Sequence, residues 1–437
     1  MKNQEAGIGK KMYEWANEIF PINRSITGPG VRETLAYLKK ILPALKVCEV
    51  PSGTKAFDWI VPDEWTIRDA FITNEEGEKI VDYKNHNLHV LGYSEPVNTW
   101  LDCDELDKYI YSLPDQPDAI PYITSYYKRR WGFCVTHLQR KQLTKGRYNV
   151  VIDSDLEPGV LNYGELILPG KEEKEILLST YICHPSMGNN EVSGICVTTA
   201  LAKWLSTFKD RRYTYRILFI PETIGSIVYL SLHAEEMKEK TVAGFNVTCV
   251  GDDRTYSFLP SRKGKTIADN VAKHVLEKTV GDYKAYSFLN RGSDERQFCH
   301  PLIDLPVVSI MRSKYDCYPE YHTSLDNLSF ISAKGMEGSY GVLQKCLVAL
   351  ESNYRYHAVV PCEPQLGKRG LYPTISTKES SKQVKTMMNL LGYADGKTDL
   401  LEIAEIIGAD IFECIEIAKM LEQHGILKQD LNKESTE

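Results

Sequence analysis

The chain has 437 residues, enough for roughly two to four folded units, and its 43% hydrophobic and 25% charged residues exclude both a disordered and a fibrous protein. With 52 Lys+Arg against 59 Asp+Glu the net charge is -7, which offers no overall attraction to phosphate backbones or anionic lipid, so neither nucleic acid nor membrane is expected as a partner. Eleven cysteines lie scattered without a CxxC pair, in a chain too large to need disulfide staples, which fits a reducing cytoplasm.

Met1 to Phe20 mix Lys, Glu and Asn too densely for the apolar core of a signal peptide, and no apolar run reaches the roughly 18 residues of a spanning helix. The expected location is therefore cytoplasmic. Met12, Trp15 and Ile19, then Val31, Leu35, Leu38, Leu42 and Leu45, predict helix over 10–46 around an interruption from Pro21 to Gly30. From Val47 to about Val150 the texture is β-rich. Short runs at 57–61, 70–73, 88–91, 120–127, 132–136 and 148–152 sit between Pro, Gly, Asn and Asp turns.

After Asp155 an apolar strand, a polar loop and an amphipathic helix recur. Strands are predicted at 176–183, 215–220, 245–250 and 305–311, with helices at 192–208, 226–238, 266–279 and 333–352. The C-terminal segment carries two apolar stripes, Leu400, Ile403, Ala404, Ile407 and Ile411, Cys414, Ile415, Ala418, Leu421, with Gly408 and Gly425 as C-caps. The pair resembles the helix-turn-helix of a winged helix, although residues 371–437 carry seven Lys and no Arg against twelve Asp+Glu. The expected fold is α/β: a mixed sheet flanked by helices from residues 1–50 and 146–360, a β-rich insertion over 51–145, and a winged-helix-like domain over 371–437.

In open α/β sheets ligands bind beyond the carboxyl ends of the strands, and four loops here deliver metal-type side chains near such ends. His184 and Glu191 follow the first strand, Glu222 the second, Asp252 and Asp253 the third, and His322 with Asp326 the fourth. A lone His after a strand is most often a hydrogen-bonded structural residue, and an Asp pair there is most often a cap. Two His and several carboxylates converging on one edge are what a hydrolytic zinc site needs: N and O ligands, an open position for water, and a carboxylate free to act as base.

The ordered set His184-Pro185-Ser186, Asn189-Asn190-Glu191-Val192-Ser193-Gly194, Pro221-Glu222 with Gly225-Ser226, Gly251-Asp252-Asp253, Ser293-Asp294 and Tyr321-His322-Thr323 resembles the co-catalytic zinc aminopeptidases and glutamate carboxypeptidases. It is more similar still to a bacterial group of aminopeptidase-like proteins with an inserted β-rich domain and a C-terminal winged helix, often associated with surface polysaccharide biosynthesis. The resemblance implies a zinc-aminopeptidase-like mixed sheet, metal ligation at His184, Asp252 and His322, and substrate binding at Asp294. Three positions depart from the pattern. Asn190 stands where a bridging Asp holds two cations, Ser186 where an Asp orients the metal-binding His, and Pro221 where the first of two Glu is found. One zinc ion is therefore expected rather than two, with Glu191 turned into the site as a further carboxylate ligand.

The function these residues predict is metal-assisted hydrolysis of an amide bond in a peptide-like or N-acyl substrate, with Glu222 as general base. The alternatives are a pseudoenzyme that binds a peptide-like or amino-sugar ligand, and a regulatory or scaffold protein acting through the winged-helix tail. Self-association into a homo-oligomer is compatible with the sequence. The cluster Tyr126, Tyr127, Lys128, Arg129, Arg130, Trp131 reads as a strand edge with solvated charges.

Overall fold

In the computed structural model, residues 7–371 and 378–430 are described. The outermost parts of the first and last expected domains, residues 1–6, 372–377 and 431–437, lie outside the described residues. The chain forms two compact units, one of residues 1–269 and 282–341, the other of residues 270–281 and 342–437.

The first unit is built on an eight-stranded mixed sheet. In chain order its strands are β1 (Lys46–Pro51), β2 (Val160–Leu168), β3 (Glu175–Tyr181), β4 (Thr214–Ile220), β5 (Thr241–Asn246), β6 (Ser257–Leu259), β7 (Lys284–Ala285) and β8 (Val307–Met311). Their spatial order is β1-β2-β4-β3-β5-β8-β6-β7. Strand β3 runs parallel to β4 and β5, pairing Leu178 with Ile217 and with Phe245, and β5 runs parallel to β8. Every residue of β3 is buried, as is all of β4 after Thr214, so neither strand alternates buried with exposed positions, and the buried Arg216 and Glu175 pair with each other. Each fully buried Leu or Phe here stabilises by about 1.5–3 kcal/mol.

Helix α1 (Ile8–Ile19) buries Met12, Trp15, Ala16 and Ile19. Helix α2 (Pro29–Ile41) starts with Pro29, whose missing N–H costs nothing in the first turn, and buries Val31, Leu35 and Leu38. Helices α3 (Ser193–Ser206) and α4 (Ile224–Lys240) follow β3 and β4. Because β3, β4, β5 and β8 are parallel, the loops after them open on one edge of the sheet.

Several sequence expectations differ from the structure: of the stretch 146–360 expected to be α/β, residues 147–157 pair within the β-rich sheet and Arg355–Ala358 lies in the second unit. The strand expected over 245–250 lies at 241–246, and Cys249 beyond it adopts a left-handed φ of 53°. The run 120–127 is largely irregular. Pro121 forms an isolated bridge with Thr323, Tyr122 N–H donates to the His322 carbonyl at 2.9 Å, and Ser324 N–H donates to the Ile120 carbonyl at 2.9 Å. This stretch braces the loop that carries His322. The β-rich region instead forms a four-stranded antiparallel sheet from 79–82, 64–73, 147–157 and 97–102, in that spatial order.

In the second unit, helices Lys378–Tyr393, Leu400–Ile407 and Ile411–Gln423 accompany a three-stranded sheet of Arg355–Ala358, Asp395–Asp399 and Leu427–Gln429. Asp399 and Asp410 cap the two later helices through their carboxylates, and Gly408 ends the first of these at φ 68°. This is a winged helix.

Candidate active site

Beyond β3 the backbone runs through Ile182 and Cys183 to His184, then turns through a single π-helical turn, Gly188–Val192, into α3. That turn swings Glu191 back over the strand end. Its Oε2 accepts the backbone N–H of Cys183 at 2.6 Å, the backbone N–H of His184, and a hydrogen bond from His184 Nδ1 at 3.0 Å. Its Oε1 accepts from Arg24 Nε at 2.6 Å, with both side chains wholly buried. Glu191 therefore lies behind His184, with its oxygens already occupied, rather than turned into the cavity.

Glu222 lies two residues past the end of β4. Its backbone N–H donates to Cys183 Sγ, and its Oε2 stands 3.7 Å from His184 Nε2 with a fifth of the side chain exposed. The next residue, Thr223, has φ 63° and ψ -77°, which a β-branched residue adopts only under constraint. Asp294 Oδ1 supplies that constraint by accepting from Thr223 N–H at 2.7 Å and from Ser226 Oγ at 2.8 Å, while Arg296 donates to Thr223 Oγ1.

His322 sits at φ 53° in the loop that 120–122 braces. Tyr321 stacks on its ring at 3.9 Å and Tyr122 meets it edge-on at 5.2 Å. The His322 and His184 ring centroids are 5.4 Å apart, and His322 Nε2 is buried without a hydrogen-bond partner.

Burial works against a charged His184, but the neighbouring Glu191 and Glu222 carboxylates outweigh it and raise its pKa. His322, buried and beside His184, is held down to about 3, so its ring is neutral. Burial raises the Glu222 pKa against the opposing pull of His184, and burial together with the Glu222 charge pushes Asp294 up to about 7.

Asp252 is placed elsewhere. Its carboxylate accepts from Asn189 Nδ2 at 3.1 Å, Ser313 N–H at 2.8 Å, Ser313 Oγ at 3.0 Å and Arg254 N–H at 2.8 Å. Asn190 donates through Nδ2 to the Tyr181 hydroxyl. Ser186 turns away from His184, donating to the Phe20 carbonyl and accepting from Asn87 Nδ2.

Of the residues singled out from sequence, the structure thus brings His184, Glu222 and His322 to one cavity of about 270 Å³ and places Asp294 behind Glu222. Trp59, Tyr122, Tyr126 and Tyr127 also line the cavity, so part of the cluster read as a solvated strand edge faces it. Sequence reasoning missed Arg24 and Tyr122. Arg24 lies in the helix interruption, where no periodicity marks it, and Tyr122 lies in a run whose partner, residues 322–324, is 200 residues away.

A family model described as a domain of unknown function (DUF4910) matches residues 13–353, and one described as a winged helix-turn-helix matches residues 354–429. A Clostridium acetobutylicum protein named for polysaccharide biosynthesis and an aminopeptidase-like domain is 44% identical over 422 residues, covering 96% of each chain. A crystal structure of a candidate peptidase from Clostridium acetobutylicum superposes with a TM-score of 0.92 at 42% identity, covering 97% of this chain and 96% of that one. A zinc aminopeptidase from Bacillus subtilis superposes with a TM-score of 0.56 at 11% identity, covering 79% of this chain and 94% of that one, a likeness of fold.

Proposed function

Since the chain belongs to the DUF4910 family and carries an aminopeptidase-like fold followed by a winged helix, we propose that it hydrolyses an amide bond in a peptide or N-acyl substrate with the help of one zinc ion. The observation that carries this reading is the convergence of two imidazoles and one carboxylate on a single cavity, with His322 Nε2 buried and unpartnered.

That donor set suits zinc, which takes two His nitrogens and one carboxylate oxygen and leaves a position open. The tighter cluster Cys183, His184 and Glu191 suits it less well. Arg24 already neutralises Glu191, and burial, with the nearby carboxylates, holds the Cys183 thiol well above its ordinary pKa and so protonated. We therefore assign His184, Glu222 and His322 as the residues that would hold the ion, and give Glu222 the ligand role in place of the base role its position suggests from sequence. When bound, zinc supplies Lewis acidity towards a carbonyl.

The chain's own groups account for the rest. Glu191 directs His184 so that Nε2 faces the cavity. Asp294 Oδ2 has no hydrogen-bond partner, and burial beside the Glu222 charge raises its pKa to about 7, so protonated and ionised forms are both populated near neutral pH. Tyr122 and Tyr126, bonded to each other at 3.0 Å, close the aromatic wall against water. The relative named for polysaccharide biosynthesis directs the substrate search to N-acyl amino sugars alongside aminoacyl compounds.

The test is elemental analysis of protein purified without chelator or nickel resin, followed by an assay against aminoacyl and N-acyl amino-sugar amides. About one zinc per chain and metal-dependent release of amine support the proposal. Absence of both leaves a ligand-binding protein instead. We assign the tail no DNA contact, because residues 371–437 carry seven Lys and no Arg against twelve Asp+Glu. A micromolar shift of random duplex DNA by the full chain at physiological salt overturns that assignment.

A further inference from the structure

We propose that Arg24 and Glu191 form a relay of positioning residues that fixes His184 with Nε2 towards the cavity, in place of a carboxylate that position 186 does not supply. The inference rests on the zinc reading above. It assigns a function to an N-terminal segment that contributes no group to the cavity chemistry itself.

The relay is continuous and buried. Arg24 has 0% exposure; its Nε donates to Glu191 Oε1 at 2.6 Å and its Nη1 to the Ile19 carbonyl at the end of α1 at 2.5 Å. Glu191 Oε2 gathers Cys183 N–H, His184 N–H and His184 Nδ1. One carboxylate thus fixes the backbone at the end of β3 and the ring that follows it. The guanidinium supplies the positive charge that a buried carboxylate requires, so Glu191 is satisfied without a metal and acts on His184 through its Nδ1.

The segment bearing Arg24 is itself pinned on both sides. A Cβ on Gly30 would collide with the Asn23 carbonyl, and Gly28, at φ 99°, packs against the Trp65 carbonyl where any Cβ would clash. Trp65 N–H donates to Thr27 Oγ1 at 3.1 Å. Ser186 donates to the Phe20 carbonyl at 3.2 Å and so staples the same segment instead of reaching His184. The side chain that would orient His184 from position 186 is used to hold the loop that orients it from position 24.

The test uses the full chain and two readouts. In metal-free wild type, 15N NMR of the His184 ring at a pH where the ring is neutral, assigned with His184→Ala, should show the proton on Nδ1 and a free Nε2. Zinc affinity, measured by chelator competition, should fall about 10- to 100-fold in Glu191→Gln and Arg24→Met, with partial recovery in Arg24→Lys. Folded variants that bind zinc as wild type does, or a neutral wild-type ring whose single proton is on Nε2, overturn the relay while leaving the zinc reading intact. If wild type binds no zinc, the functional reading fails and the tautomer alone decides the relay. If the variants do not fold, the wild-type tautomer still decides it.

Discussion

The side-chain amide of Asn189 donates to Asp252 Oδ2 at 3.1 Å, while its Oδ1 accepts the backbone N–H groups of Gly251 and Asp252. With Ser313 and Arg254 adding three more donors to Asp252, the space where a second cation would need a free carboxylate is closed by hydrogen bonds. Elemental analysis should therefore find about one zinc per chain or less. Asn190→Asp should not add a second ion, because Asp252 remains saturated. Two tightly held ions in either protein would contradict this account.

Glu222 is the carboxylate that shares the cavity with His184 and His322. Glu222→Gln should lower zinc affinity at least tenfold, as should His184→Ala and His322→Ala, measured on variants that thermal melts show to be folded. Asp294→Asn should retain zinc and lose turnover. A Glu222→Gln protein with full metal content and no activity would return Glu222 to the role of base.

Asp326 accepts from Asn189 N–H, Asn190 N–H and the Tyr318 hydroxyl, yet burial outweighs these donors and raises its pKa from 3.8 to about 6. A carboxyl raised in the folded state favours folding when protonated, so its contribution is complete below about pH 4 and is lost as pH rises through 6. At about 1.4 kcal/mol per unit, the loss is about 3 kcal/mol. Denaturant titrations should show wild-type stability falling relative to Asp326→Asn between pH 4 and 7 and running level above. The altered hydrogen bonds of the Asn variant add a constant offset, not a slope, and a difference that rises with pH would refute the assignment.

Trp59 and Tyr127 meet edge-to-face at 5.5 Å at the exposed side of the cavity, where they touch none of the groups assigned to the metal. Trp59→Ala and Tyr127→Ala should raise KM several-fold with kcat within a factor of two, since they remove binding that ground and transition states share. A fall in kcat with KM unchanged would place them in the chemistry instead.

The α/β class and the winged helix were legible in the sequence because each rests on local signals. Strands β3 and β4 carry the apolar runs 176–178 and 217–220, and the two C-terminal helices carry Asp caps and Gly stops within their own segments. His184, Glu222 and His322 were legible for the same reason, as chemically distinctive side chains just past or near strand ends.

Which partners those side chains meet was decided only by tertiary contacts. Glu191 could be read as a ligand until Arg24, 167 residues earlier, occupied one of its oxygens. Asp252 could be read as a ligand until Ser313, 61 residues later, filled its lone pairs. A carboxylate's type and position follow from the chain, but whether it is free to bind a cation depends on which donors folding brings to its oxygens. Those donors come from loops whose sequences carry no periodic signal of where they will pack.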